Sequence, residues 1–330
     1  FPVNSSNDLN IQGEISHFSS LLTKDAEISA KTNLHIKSIK LIWEDFVNFF
    51  KVNHKKTKFQ IKKPADVITD LAREVYLKFD PIITIDIKEF EYNSFQMTNF
   101  SSFIAFNDIN DLDLNNTTFN IKNGAVKLNA ALNIENTQRI IIDTDVEATG
   151  SPEILNNLFK SDTFFFKGGD FNLQGKAYGD ILQMDDFLNA LNGSLILTNS
   201  NVIYQPNNLS IPIDLLDVEI KNNLTTLNSL EIGLGEIDKL NFSGRLENFS
   251  AFLSETNKNQ VNTYINLYSE KLQWDDFLDV FQKGVKKENI NTEATFNEHI
   301  KKTLREIYSR FNPKISVNLD RFEYKDLIVA

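Results

Sequence analysis

Pro81-Ile82-Ile83-Thr84-Ile85-Asp86-Ile87-Lys88-Glu89-Phe90-Glu91-Tyr92 returns 232 residues later as Pro313-Lys314-Ile315-Ser316-Val317-Asn318-Leu319-Asp320-Arg321-Phe322-Glu323-Tyr324. In both stretches apolar and polar residues alternate at the two-residue period of a strand that buries one face. Ile83, Ile85 and Ile87 share a face, and Thr84, Asp86 and Lys88 take the other; the matching apolar set is Ile315, Val317 and Leu319. The alternation then slips by one before Phe90 and Tyr92, and again before Phe322 and Tyr324. A bulge or a strand break is expected there.

The match extends in both directions. Arg73 to Met97 aligns with Arg305 to Val329 at the same offset of 232. Upstream, at an offset of 231, Leu9-Asn10-Ile11-Gln12-Gly13 aligns with Leu240-Asn241-Phe242-Ser243-Gly244, and Lys40-Leu41-Ile42-Trp43-Glu44-Asp45-Phe46 with Lys271-Leu272-Gln273-Trp274-Asp275-Asp276-Phe277. So long a run at a nearly constant offset identifies an internal duplication. One copy spans 9–97 and the other 240–329, with a β-rich segment 98–239 between them. A fainter echo lies inside that segment, at Phe171-Asn172-Leu173-Gln174-Gly175 and Leu182-Gln183-Met184-Asp185-Asp186-Phe187. The second copy stops where the first continues, and the chain opens on Phe1. The expectation is one continuous β-sheet excerpt, 1–330, of a longer protein.

Further strands are predicted at Phe119 to Ile121, Ala125 to Ile134, Arg139 to Val146, Ser194 to Thr198, Val202 to Gln205, Leu215 to Ile220 and Leu230 to Leu234, divided by Asn-rich turns. Helices are few. Ala65 to Phe79 places Ile68, Leu71, Val75 and Phe79 on one stripe and must end near Asp80, because Pro81 disfavours helix in the residue before it. Phe296 to Phe311 is its counterpart before Pro313, and short helices are expected after each Trp/Met-acidic-Asp-Phe motif. Trp43 and Trp274 would fill the junction between strand and helix. The fold class is therefore mainly β: an elongated, twisted, mostly antiparallel sheet curved into a groove, with a few short helices. Too few helices exist to cover the apolar faces as in an α/β fold.

Composition narrows the function. The chain is 41% apolar with 27 Phe, ample for a core, and its net charge of −11 argues against binding nucleic acid, whose phosphates select Lys and Arg. No Cys is present, so there is neither a disulfide framework nor a thiolate nucleophile. No apolar run reaches the roughly 18 residues of a membrane-spanning helix. His17, His35, His54 and His299 are scattered, and the pairs Asp185-Asp186 and Asp275-Asp276 sit where helices begin and read as caps. Asp108 to Asn116 looks like a calcium loop but puts Asn116 where Gly is required and Lys122 where the bidentate Glu belongs. Gly168-Gly169-Asp170 reads as a turn, and the Lys cluster from Lys51 to Lys63 as a solvated loop rather than a head-group site. No catalytic residues, metal site or cofactor are expected.

Ile83-x-Ile85-x-Ile87, Phe90-x-Tyr92, Phe95-x-Met97-x-Asn99-Phe100, Asn123-Gly124-x-Val126-x-Leu128, Asp143-x-Asp145 leading into Ile154 to Phe159, and Leu191-Asn192-Gly193-Ser194-Leu195-x-Leu197 follow one another in order. In that order they resemble the C-terminal region of AsmA-like bacterial envelope proteins. The resemblance covers most of residues 80 to 250 and, through the duplication, both ends. It implies a twisted β-groove with an apolar floor that carries phospholipid between inner and outer membranes. It also implies a periplasmic location, with an inner-membrane anchor and contacts to other envelope proteins supplied by parts of the parent protein outside this stretch. The long helices and the Asn-rich composition depart from the family pattern. On this reading Ile83, Ile85, Ile87, Phe90, Ile315, Val317, Leu319 and Phe322 line the groove and meet phospholipid acyl chains. The alternative is a structural or adhesive β-repeat scaffold. It would close and fill its core, where a conduit leaves an open apolar trough.

Overall fold

The computed structural model describes residues 2–4, 7–17, 30–43, 76, 79–92, 95–136, 139–159, 164–183, 187, 189–205, 209–234, 239–248, 251, 261–275 and 311–329. The chain divides into two compact units, 1–148 with 176–184, and 149–175 with 185–330. In the first, the strands are β1 (Pro2–Asn4), β2 (Asn7–Asp8), β3 (Asn10–Ser16), β4 (Lys31–Ile42), β5 (Pro81–Tyr92), β6 (Phe95–Asp108), β7 (Asp111–Ile121), β8 (Gly124–Asn136) and β9 (Arg139–Gly150). β3 to β9 lie side by side in chain order. β3 and β4 pair antiparallel, as do β5 with β6, β6 with β7 and β7 with β8, whereas β4 and β5 run parallel.

A parallel pair cannot be closed by a hairpin and needs a crossover. Residues 43–80 make it. Its last turn is described: Tyr76 and Phe79 are helical, the Asp80 N–H donates to the Tyr76 carbonyl at 2.9 Å, and Asp80 turns to φ +36°. The helix predicted over Ala65 to Phe79 thus ends where Pro81 requires it. The rest of that helix and the Lys51 to Lys63 cluster lie outside the described residues.

The second unit contains α1 (Glu153–Phe159), β10 (Phe164–Lys167), β11 (Asp170–Asp180, divided between the units), β12 (Asn192–Tyr204), β13 (Leu209–Lys221), β14 (Leu224–Gly233), β15 (Lys239–Glu247), β16 (Val261–Ser269), β17 (Leu272–Gln273), β18 (Phe311–Leu319), β19 (Phe322–Tyr324) and β20 (Leu327–Val329). β12 to β16 follow in chain order, β10 pairs antiparallel with β12, and β18 pairs parallel with β16. Just before α1, the Ser151 hydroxyl donates to the Glu153 carboxylate at 2.8 Å, and the helix buries Ile154 and Leu155. The fold is mainly β, mixed and mostly antiparallel, and neither unit's sheet closes into a barrel.

The two copies pair alike. Thr32 opposite Pro81 becomes Thr263 opposite Pro313; Asn10 and Ile11 opposite Lys37 and Ile36 become Asn241 and Phe242 opposite Tyr268 and Leu267. The equivalence reaches individual hydrogen bonds. Ser38 Oγ shares its proton between the carbonyls of Asp8 and Lys40, the latter at 2.8 Å. Ser269 Oγ does the same with Lys239 and Lys271, at 2.8 and 2.7 Å.

These serines mark the slip in the alternation. In the first copy β5 runs unbroken through it, with no extra residue in either neighbour's register, so the predicted bulge is absent there. The slip is instead carried by three strands at once. The bridges that would join Ile39 to Lys88 and Lys88 to Asn99 are missing, and Asn99 takes φ +52°. Because each strand loses the same step, the side chains change face while the register is kept. The Ile39 and Lys40 N–H groups donate to the Asp8 carboxylate at 2.7 and 3.2 Å, which holds that carboxyl below the usual range, the Lys40 bond contributing most. In the second copy the break is real: β16 gives way to β17, and β18 to β19, at this point.

Two other expectations change. Phe311 and Asn312, placed at a helix end by the sequence, already belong to β18, and the remainder of Phe296 to Phe311 lies outside the described residues. Ser194 to Thr198 and Val202 to Tyr204 form one strand, β12, with Asn199 at φ +50° between them. Asn is thus used inside long strands as well as at turns, since it tolerates the left-handed region better than most residues.

Candidate functional site

Residues directly opposite each other on neighbouring strands project to the same side of a sheet, so the registers assign faces. In the first unit Ile83 stands opposite Leu34 and Ile104, Ile85 opposite Ile36 and Ser102, and Ile87 opposite Ser38 and Phe100. Ile11 continues this face beside Ile36. Across β7 and β8 it passes through Leu114 with Ala130 and Phe119 with Val126. The reverse face is mixed: it carries exposed Ile82 and Phe103 beside His35, Thr84 and Asp86. Asp86 accepts from His35 Nε2 at 2.6 Å and from Ser101 Oγ at 2.9 Å. The His35 bond holds its carboxyl below the usual range; burial opposes this, and Ser101 adds to it.

In the second unit the same construction runs from β12 to β18. Leu197 faces Leu216, Leu216 faces Leu230, Leu230 faces Phe242, Phe242 faces Leu267 and Leu267 faces Val317. The reverse face carries Glu231, Asn241, Arg245, Tyr264, Lys314 and Asn318. Tyr264 lies between two cations there, the Arg245 guanidinium 4.4 Å and the Lys314 ammonium 5.2 Å from its ring centre.

Within each unit the predicted lining residues fall into two kinds. Ile83 and Ile85 are half-buried, and their counterparts Ile315 and Val317 are 59% and 57% exposed. The difference follows from position, since β5 has a neighbour on both sides and β18 pairs only with β16 among the described residues. Beyond the slip the packing tightens. Ile87 is buried, and Phe90 stacks on Phe100 at 5.7 Å and meets Trp43 at 6.4 Å. In the second unit Leu319 and Phe322 pack against Leu234, Leu240 and Leu272, with Trp274 6.2 Å from Phe322. Ile87, Phe90, Leu319 and Phe322 therefore belong to filled aromatic and aliphatic clusters, and Ile83, Ile85, Ile315 and Val317 to the accessible part of the face. Each Trp meets the equivalent Phe at an interplanar angle of 58° or 57°, beside the strand end as its position in the repeat suggested.

Two contributors escaped the sequence reading. Gly13 and Gly244 sit where a neighbouring backbone crosses the face: a Cβ would lie 2.4 Å from the Asn33 carbonyl and 2.0 Å from that of Tyr264. Their recurrence at one place in both copies was the available signal. Ser38 and Ser269 are the other pair, identical at an offset of 231 but inconspicuous among many serines.

Among the described residues no group of three or more His, Asp and Glu side chains is placed to share a metal ion. The Asp108 to Asn116 segment is a hairpin in which Asp111 and Asp113 accept from Asn133 and Asn107 at 2.5 and 2.6 Å. A concavity of about 500 Å³ beside Asp8, Lys37, Lys88 and Asn99 adjoins the slip and is rimmed by charge. His54, His299 and Asp185-Asp186 lie outside the described residues. Of the described residues no helix is long and apolar enough to cross a membrane. No protein-family model matches the chain, and no curated protein or solved structure does so either.

Proposed function

We propose that this chain is a non-enzymatic, lipid-binding segment of a bacterial envelope protein that moves phospholipid between the inner and outer membranes. It would work in the periplasm, tethered through parts of the parent protein outside this stretch, and would hold acyl chains against the apolar faces of its sheets. One observation carries the reading: in each unit one sheet face stays mainly aliphatic and aromatic across successive strands, whereas the reverse face is mostly polar, with Ile82, Phe103 and Ile196 as exposed apolar exceptions. Exposing an acyl chain to water costs about 0.8 kcal/mol per CH₂, so roughly 10 kcal/mol for an ordinary chain. A continuous apolar face offsets that without hydrogen bonds to the chain. The AsmA-like order of motifs points to the same role.

The test is crosslinking of the purified protein to a phospholipid with a photoactivatable acyl chain, followed by peptide mapping. Adducts on β4, β5, β16 or β18 at the residues facing Ile85 and Val317 are the expected result. Adducts confined to the charged face, or none, would overturn the proposal.

A further inference from the structure

The duplication supplies an internal control. Side chains that the shared architecture needs recur in both copies, as Ser38 and Ser269 do, and those that differ are free to serve something else. The contrast is sharpest at the slip of the first unit, around the concavity of about 500 Å³. Offsets of 231 and 232 place Tyr268 and Asp320 of the second copy where Lys37 and Lys88 stand in the first. The Tyr268 hydroxyl donates to the Asp320 carboxylate at 2.8 Å, so these two positions lie within side-chain reach and satisfy each other there. Lys37 and Lys88 cannot do the same. Both are cations, both line the concavity, and neither forms an ion pair among the described residues. The carboxylates beside them are already engaged. Asp86 accepts from His35 on one oxygen and Ser101 on the other, and Asp8 is held by the Ile39 and Lys40 N–H groups. Lys37 acts on Asp86 only through space.

We propose that this concavity binds the phosphate group of a small phosphate monoester, held between the Lys37 and Lys88 ammonium groups. Two ammonium groups at one recess repel each other until an anion lies between them. A phosphate monoester carries nearly two negative charges at neutral pH and so matches two lysines, where a carboxylate matches one. Lysine suits phosphate as a point-charge donor. The recess is several times larger than a phosphate group, and the amides of Asn10 and Asn99 line part of the remainder. Each amide offers both a donor and an acceptor to hydroxyls on the moiety that carries the phosphate. Lys37 stands opposite Asp86, on the reverse face, so the site is separate from the apolar face proposed to hold acyl chains and does not depend on that reading. Two sources share this chemistry: a soluble phosphate ester, and the monoester headgroup of a phosphatidic acid presented from a bilayer.

Pyridoxal 5′-phosphate reports such a site, because its phosphate brings its aldehyde to a neighbouring lysine, where borohydride fixes the imine as a secondary amine. The full 330-residue chain is labelled and the modified lysines are mapped by mass spectrometry. Lys37 or Lys88 should be modified about tenfold or more faster than exposed Lys122 on the β7–β8 turn. Glycerol 3-phosphate should protect them saturably, and potassium chloride at equal ionic strength should not, since screening acts on all exposed lysines alike. Protection by glycerol 3-phosphate, with none from phosphatidic acid in phosphatidylcholine vesicles, supports the site and assigns it to a soluble ester. Stronger protection by those vesicles supports it and assigns the phosphate to a lipid. The double variant Lys37→Tyr with Lys88→Asp installs the second copy's pair. It should melt like the parent and bind radiolabelled glycerol 3-phosphate about tenfold or more weakly in equilibrium dialysis. The labelling arm leaves the protein unaltered and so stands even where the double variant perturbs folding. Modification spread evenly over exposed lysines, protection matched by chloride, or a folded double variant that binds as well as the parent would overturn the proposal.

Discussion

Three glycines of the second unit separate two reasons for using glycine, and substituting each by alanine gives an ordered prediction. At Gly168 φ is +68° and a Cβ would meet nothing within 4 Å, so alanine incurs only the left-handed backbone penalty of about 1–2 kcal/mol. At Gly244 the backbone lies outside the left-handed region, but the Cβ would lie 2.0 Å from the Tyr264 carbonyl oxygen and 3.1 Å from Ile265 Cα. Relief requires β15 and β16 to part by roughly 1 Å from their usual 4.7–4.9 Å spacing, stretching the ladder on both sides. Overpacking of this kind costs about 3 kcal/mol. Gly169 combines both, with φ +78° and a Cβ 2.2 Å from the Thr198 carbonyl; about 4 kcal/mol is expected. The chain has two Trp residues, Trp43 in the first unit and Trp274 in the second, so a Trp43→Phe background leaves one reporter for the second unit. With an m-value of about 2 kcal/mol/M, the urea midpoint should fall by roughly 0.5, 1.5 and 2 M for Gly168→Ala, Gly244→Ala and Gly169→Ala. A Gly244→Ala midpoint within about 0.3 M of the parent, or below that of Gly169→Ala, would refute the steric argument.

Ile85→Asp and Val317→Asp, both on the accessible part of the apolar face, should leave the circular dichroism spectrum and a cooperative melt intact while phospholipid crosslinking drops severalfold; outright unfolding of both would favour the filled scaffold. Ser269→Ala removes a fully buried hydroxyl shared by the Lys239 and Lys271 carbonyls and should lower stability by about 1–2 kcal/mol by urea titration. Ser38→Ala should act alike on the first unit, read through Trp43 in a Trp274→Phe background. Asp86 has its carboxyl depressed in the folded state, so its contribution is present above the unfolded value near 3.9 and is lost as pH falls through the folded value. The Asp86→Asn deficit should therefore shrink as pH falls below about 4. It should stay under about 1 kcal/mol, since the Asp86 side chain is 47% exposed. A deficit that grows as pH falls below about 4 would contradict the depressed carboxyl.

Alternation and repetition are properties of a single strand, and both could be read from the residues alone. Ile83-x-Ile85-x-Ile87 identifies a strand and the face it buries, and Asp80-Pro81 ends a helix at a stated place, because side-chain parity and the proline ring act locally. The duplication needed only comparison of the chain with itself. Which strands become neighbours was not legible. The parallel pairing of β4 with β5, and of β16 with β18, depends on where the crossover returns the chain, and period-two patterning is the same in either direction. The slip was visible in one strand, yet Ile39, Lys88 and Asn99 resolve it together, and only their adjacency shows why the register survives. The lining set was read as uniform, whereas tertiary packing divides it. Leu319 and Phe322 are drawn into the cluster around Leu240 and Leu272, and Ile315 and Val317 are left on an edge. A side chain's exposure is decided by what lies beside its strand, and that neighbour is set by the fold of the whole unit.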